Sequence, residues 1–144
     1  MPCDSNAIAL TVSATVDDAV SDLIGEGLDA ANTERVGPEG RESLWVVARD
    51  PQGRVLGGIK GQYDYSWLFV DWLWCDPQHR HVGLGSRLMA SAEGAARHRG
   101  CVGVYLQTVT FQAPDFYRRL GYTEFGRLED LLPGHAVIWL QKRF

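Results

Sequence analysis

Between Leu44 and Pro77 the chain reads LWVVARDPQGRVLGGIKGQYDYSWLFVDWLWCDP. Three β-branched and aromatic runs are cut by two turn signals, Asp50-Pro51-Gln52-Gly53 and Tyr63-Asp64-Tyr65-Ser66. Such spacing predicts an antiparallel meander with strands near Leu44 to Arg49, Val55 to Gln62 and Trp67 to Cys75. The third run ends in CDPQHRHVGLGSRL, which places two glycines and an arginine where a strand hands over to a helix. Leu84, Leu88, Met89, Ala92, Ala95 and Ala96 then recur at helical spacing up to Gly100. A strand CVGVYLQTV follows, then a short helix with Pro114 in its first turn and Gly121 after its end. Two closing strands are expected near Tyr122 to Leu128 and Ala136 to Lys142, joined across EDLLPGH.

Upstream, ALTVSAT reads as a short strand, and Thr15 as the cap of a helix from about Val16 to Ala31. NTERVGPEGRES is a loop, because glycine, proline and charge break any period. A meander that leads through a helix into a further strand indicates a mixed sheet with helices on both faces. With 144 residues, 45% of them hydrophobic, the chain suffices for one substantial core, so residues 1–144 are expected to form a single domain.

The formal charge of −4, with no long block of like charge, argues against a nucleic-acid partner. No apolar run approaches the roughly 18 residues of a spanning helix. MPCDSNAIAL also lacks the basic region of a secretion signal, so a cytoplasmic location away from membranes is expected. Cys3, Cys75 and Cys101 stand in neither CxxC nor metal-ligand spacing. They read as reduced thiols, and no metal is expected.

Gly83-Leu84-Gly85 is no dinucleotide fingerprint, since Leu88 fills the third glycine position, and no Gly-Lys-Ser/Thr makes it a Walker loop. What remains is R-x-x-G-x-G, met by Arg80, Gly83 and Gly85. On its own it is either a tight turn before a surface helix or a cradle, in which glycine lets an anion approach free N–H groups at the helix start. Two further stretches bear on that choice: LWCDP before the motif and APDFYRRLGY (Ala113 to Tyr122) after it. Together, in this order and spacing, the three resemble the GNAT superfamily of N-acetyltransferases, small bacterial type: its acyl-coenzyme A signature, its fourth strand and its A..FY.+.GF segment.

The resemblance implies the acyl-CoA N-acyltransferase fold, a mostly antiparallel sheet of about seven strands, and acetyl-CoA as co-substrate. It implies that main-chain N–H groups around Val82, Gly83, Gly85 and Ser86, with Arg80 and His81 in the motif, hold the pyrophosphate. It implies that the strand ending at Cys75 splays from the next, leaving groups near Leu73 and Cys75 for the pantetheine arm. Tyr117 occupies the position of the general-acid tyrosine that protonates the leaving thiolate, and a homodimer is expected on the same ground. His81 stands where glycine or a basic residue is common, and Thr110 where many members carry an asparagine that touches the cofactor arm.

The chemistry needs a proton acceptor as well. A lysine-like amine of pKa about 10.4 is some 3.4 units from a free nucleophile at pH 7, or about 4.6 kcal/mol. Asp71, set among Phe69, Val70, Trp72 and Leu73, shares a face with Leu73 and Cys75 by strand alternation, and its apolar company should raise its pKa. It serves as base or substrate contact, or else pairs with a basic neighbour. His135 is the other candidate base or substrate contact, and a water chain could also serve as the base. Tyr63, Asp64 and Tyr65 could rim an acidic, aromatic acceptor pocket for a cationic amine. Cys75 could in principle carry an acyl group, but buried strand cysteines are inert more often than not. The leading function is direct acetyl transfer from acetyl-CoA to the primary amine of a small molecule. Protein or peptide N-acetylation, another acyl donor, or a non-catalytic acyl-CoA-binding regulatory module are the alternatives.

Overall fold

The computed structural model describes residues 7–144, so Cys3 lies outside it. The chain falls into two compact units, one ending at Glu39 and one spanning Gly40–Phe144.

The first unit contains α1, Asp18–Val36. Its boundaries differ from the sequence expectation at both ends. Asp17, not Thr15, is the N-cap; its main-chain carbonyl takes the N–H groups of Val20 and Ser21 at 3.0 Å, and its side chain makes no capping bond. The helix runs on past Ala31, because nothing in NTERV breaks it before Gly37, whose φ of +82° suits glycine alone. The expected strand ALTVSAT does not form; residues 9–15 adopt no regular structure. An alternating heptapeptide becomes a strand only if another edge takes its main-chain groups, and none does among the described residues.

The second unit is a six-stranded sheet of order β1-β2-β3-β4-β6-β5, one strand fewer than expected. The strands are β1 (Ser43–Arg49), β2 (Val55–Asp64), β3 (Trp67–Cys75), β4 (Gly103–Val109), β5 (Thr123–Leu132) and β6 (His135–Arg143). The first turn closes on Asp50, whose carboxylate accepts the N–H groups of Gln52 and Arg54 at 2.9 Å. β5 reaches beyond Leu128, through an irregularity at which Asp130 takes φ +57°.

All pairings are antiparallel except β3 with β4. That pair is parallel because α2 (Leu84–Arg99) carries the chain back across the sheet. Leu88, Met89, Ala92 and Ala96 of α2 are each at most 3% exposed and share one core with Ile59, Leu68, Val70, Val104 and Leu106 of the sheet. Among the described residues no helix is long and apolar enough to cross a membrane.

One irregularity positions everything that follows. Gly61 pairs with Val70 but Lys60 pairs with Trp72, so Asp71 is an extra residue bulged out of β3. A bulge bends its strand and inverts the alternation beyond it. Leu68 and Val70 belong to the core before the bulge, and Leu73 and Cys75 after it, while Trp72 and Trp74 are left exposed.

Candidate active site

Parallel pairing of β3 with β4 runs from Trp67↔Gly103 to Val70↔Leu106 and stops there, one residue before the bulge. Beyond it the two strands part. The gap opens into a cleft of about 980 Å³, lined by Leu73 and Cys75 on one side, Gln107 and Thr108 on the other, and Tyr117 of α3 (Pro114–Arg119). The parting of the strands expected near Leu73 and Cys75 is therefore present, and β3 has no β4 partner there. The Cys75 carbonyl already accepts a bond from Arg80 Nε at 3.3 Å, so Arg80 ties the glycine motif back to the strand.

At the head of the cleft the chain turns through Pro77–His79, with Asp76 accepting the Gln78 N–H at 3.1 Å. His81 (φ +64°) and Gly83 (φ +80°) then adopt left-handed conformations and aim the chain into α2. His81 holds that conformation at a cost of about 1 kcal/mol that Gly83 avoids. Helical bonding begins with the Arg87 N–H, 3.1 Å from the Gly83 carbonyl, so the N–H groups of Leu84, Gly85 and Ser86 precede the ladder. Those three residues line the cleft with Arg80, His81 and Gly83. Val82 does not; its side chain is 69% exposed. A Cβ on Gly85 would stand 3.1 Å from the Phe116 ring, so glycine lets α3 lie against the start of α2 without displacing that ring.

The Tyr117 ring packs edge-on against Phe116 (5.0 Å) and Tyr122 (6.1 Å). Burial, with a smaller contribution from Cys75, pushes its phenol up to about 12. Its hydroxyl has no protein hydrogen-bond partner among the described residues. Burial also raises the Cys75 thiol, against the opposing pull of Arg80. Asp71 lines the cleft, but the alternation argument that put it on the face of Leu73 and Cys75 fails, because the bulge at Asp71 itself breaks that alternation. Its carboxylate is 40% exposed and 3.8 Å from Lys60 Nζ, an ion pair in place of the apolar surroundings expected.

A strand pair that parts beside free N–H groups at a helix start is a peptide-like slot ending in an anion site. Residues 40–124 match the acetyltransferase (GNAT) domain family. The chain belongs to the GNAT family. It is 35% identical to an acetyltransferase of Agrobacterium fabrum over 92% of this chain and 97% of that one. It is 46% identical over 84 residues to the blasticidin-S acetyltransferase of Streptomyces morookaense, 58% of this chain and 62% of that protein. A crystal structure of an acetyltransferase from Bacillus cereus superposes with a TM-score of 0.84 at 30% identity, covering 93% and 98% of the two chains. The protein is thus an N-acetyltransferase with the acyl-CoA N-acyltransferase fold.

Not every expected site residue meets in this GNAT cleft. Thr110 and His135 lie beside it, where β4 ends and β6 begins. Thr110 Oγ1 accepts the Ala136 N–H at 3.0 Å and lies 3.2 Å from His135 Nδ1, and Phe111, which does line the cleft, packs edge-on against His135 at 5.2 Å. Tyr63, Asp64 and Tyr65 lie at the far end of β3, which spans the nine residues Trp67–Cys75, on the order of 30 Å at about 3.3 Å each. There Tyr63 is buried beneath the Arg99 guanidinium, Asp64 accepts the Tyr105 hydroxyl at 2.6 Å, and Tyr65 takes the turn's positive φ. Sequence reasoning passed over Gln112, which the fold places in the cleft wall. Its one signal was a long amide just ahead of APDFY, between the strand and the short helix.

Proposed function

We propose that this GNAT chain transfers the acetyl group of acetyl-CoA to the primary amine of a small molecule, by direct attack of the amine on the thioester. The observation that carries the reading is the parting of β3 from β4 over the unladdered N–H groups of Leu84, Gly85 and Ser86, with the Tyr117 phenol in the same cleft. The residues present fit acetyl-CoA: an open strand edge at Leu73 and Cys75 for amides, and a glycine-lined helix start for a pyrophosphate. The likeness to a relative named for a small molecule, blasticidin S, supports a small-molecule acceptor.

In this reading Tyr117 protonates the departing thiolate. Asp71 attracts the cationic amine and takes its proton, directly or through water, with Lys60 fixing the carboxylate between events. A half-buried thiol whose pKa is raised is a poor nucleophile at neutral pH, which supports direct attack over an acyl-cysteine at Cys75. Two copies pair through the free edge of β5, where Phe125, Leu128, Leu131 and Leu132 are about half exposed. Sedimentation as a 16.0 kDa species would remove that last point.

The decisive experiment is a panel of primary amines incubated with acetyl-CoA, with release of free thiol as the readout. At least one amine should release thiol in proportion to enzyme. Acetyl-CoA binding without thiol release from any of them would leave a binding module and sink the enzymatic assignment to small amines.

A further inference from the structure

Gln112 lies between β4 and α3 in the wall of the cleft. Its side-chain oxygen accepts two hydrogen bonds, one from the Val109 N–H at 3.0 Å and one from the Thr108 hydroxyl at 3.1 Å. A main-chain N–H can only donate, so the atom it meets must be the amide oxygen and not the nitrogen. Gln112 Nε2 is thereby identified as the donor atom of the amide, and neither of its N–H bonds has a partner among the described residues. The holding groups are rigid: Thr108 is 3% exposed, and Val109 ends β4.

The neighbouring hydroxyl is committed elsewhere. Thr110 Oγ1 takes the Ala136 N–H and contacts His135 Nδ1, so the position expected from sequence to touch the acyl donor's arm instead clasps β4 to β6. Beside it in the cleft wall, the amide of Gln112, held by its oxygen, offers a side-chain donor.

We propose that Gln112 is a positioning residue for the acyl donor, donating from Nε2 to an amide carbonyl of the donor's arm. The proposal rests on the acetyl-CoA reading above. A carbonyl taken into the cleft gives up its water and must find a donor. The amide of Gln112 supplies one that is already oriented, so little side-chain freedom is lost on binding. It also sets the depth at which the arm sits, and hence where the thioester meets Tyr117.

Two variants test this by titration calorimetry with two ligands, acetyl-CoA and adenosine 3′,5′-bisphosphate, which keeps the nucleoside, the 3′-phosphate and the first phosphate of the pyrophosphate but has no amide arm. Gln112→Glu keeps an oxygen for Val109 and Thr108 and replaces the donor by a carboxylate oxygen. Gln112→Leu removes both functions, and the Glu variant carries the test should the Leu variant not fold. The Kd for acetyl-CoA is expected to rise about 3- to 10-fold in Gln112→Leu and further in Gln112→Glu, the loss of one oriented bond and then its replacement by repulsion. The bisphosphate should bind Gln112→Leu as it binds wild type, and should weaken less than acetyl-CoA in Gln112→Glu. Unchanged acetyl-CoA affinity in both variants overturns the proposal, and so does equal weakening of the two ligands. If wild type itself fails to bind acetyl-CoA, the reading underneath has failed, and that result is in hand before any variant is made.

Discussion

Replacing Tyr117 by phenylalanine removes one oxygen from the cleft and leaves the ring packing against Phe116 and Tyr122 in place. Burial holds the phenol at about 12, about 3.5 units above a cysteine-like thiol, so donation to a bulk-like thiolate is uphill by about 4.8 kcal/mol. The ordinary phenol value gives about 2 kcal/mol, so the fold has made Tyr117 a more reluctant acid, one that stays protonated throughout the neutral range. In the proposed role it would donate only as negative charge builds on sulfur. Positioned proton transfer contributes about 10²- to 10⁴-fold, so Tyr117→Phe should lower kcat by at least about a hundredfold with acetyl-CoA affinity kept. The same burial has a signature in stability. The folded pKa lies above the unfolded value near 10, so the stabilisation is full below pH 10 and is lost as pH rises through about 12. About 2 units at 1.36 kcal/mol each make that loss about 2.7 kcal/mol. Urea unfolding followed by tryptophan fluorescence from pH 8 to 12 should show a shallower alkaline decline in Tyr117→Phe than in wild type. Thiol release within threefold of wild type would refute the acid role, and an unchanged alkaline decline would refute the burial argument beneath it.

Asp71→Asn should raise KM for the amine by about tenfold or more, the loss of a charged contact, and leave acetyl-CoA affinity unchanged by calorimetry; an unaltered KM would remove Asp71 from the acceptor site. Glu93 is 6% exposed and receives Lys142 Nζ at 3.1 Å on both oxygens and the Tyr122 hydroxyl at 2.9 Å. Lys142→Met strands that carboxylate and should cost about 3 kcal/mol, the low end of the range because Lys142 is partly exposed; a shift in urea midpoint worth less than about 1 kcal/mol would contradict this. Gly85→Ala puts a methyl group 3.1 Å from Phe116 and 3.8 Å from the Cys75 sulfur, at the helix start proposed to hold the donor. It should cost about 1 kcal/mol of stability and weaken acetyl-CoA measurably, whereas wild-type affinity would show that the ring simply yields.

The parts of this protein that follow from short-range chemistry were legible in its residues. Turn residues at Asp50 to Gly53, the helical stripe from Leu84 to Ala96, the stop at Gly100 and Pro114 at the start of α3 each act within a few neighbours, and each element formed where expected. So did the turn into α2 at Gly83 and Gly85, because left-handed backbone and close approach are properties of glycine itself. The features that needed a partner were not legible. ALTVSAT has the pattern of a strand and finds no edge, and the span between Tyr63 and the cleft follows from how far β3 travels. The bulge at Asp71 is a relation between the registers of β2 and β3, invisible in either strand alone, yet it turns Asp71 towards Lys60. The same holds at the end of β4. The sequence by itself determined the glycine-bearing helix start at Gly83 and Gly85 and the tyrosine at position 117. Only the tertiary structure decided that Thr110 is spent on Ala136 and His135 while Gln112, held by its amide oxygen, keeps its N–H groups without a partner among the described residues, because hydrogen-bond partners are set by distances in the fold and not by order along the chain.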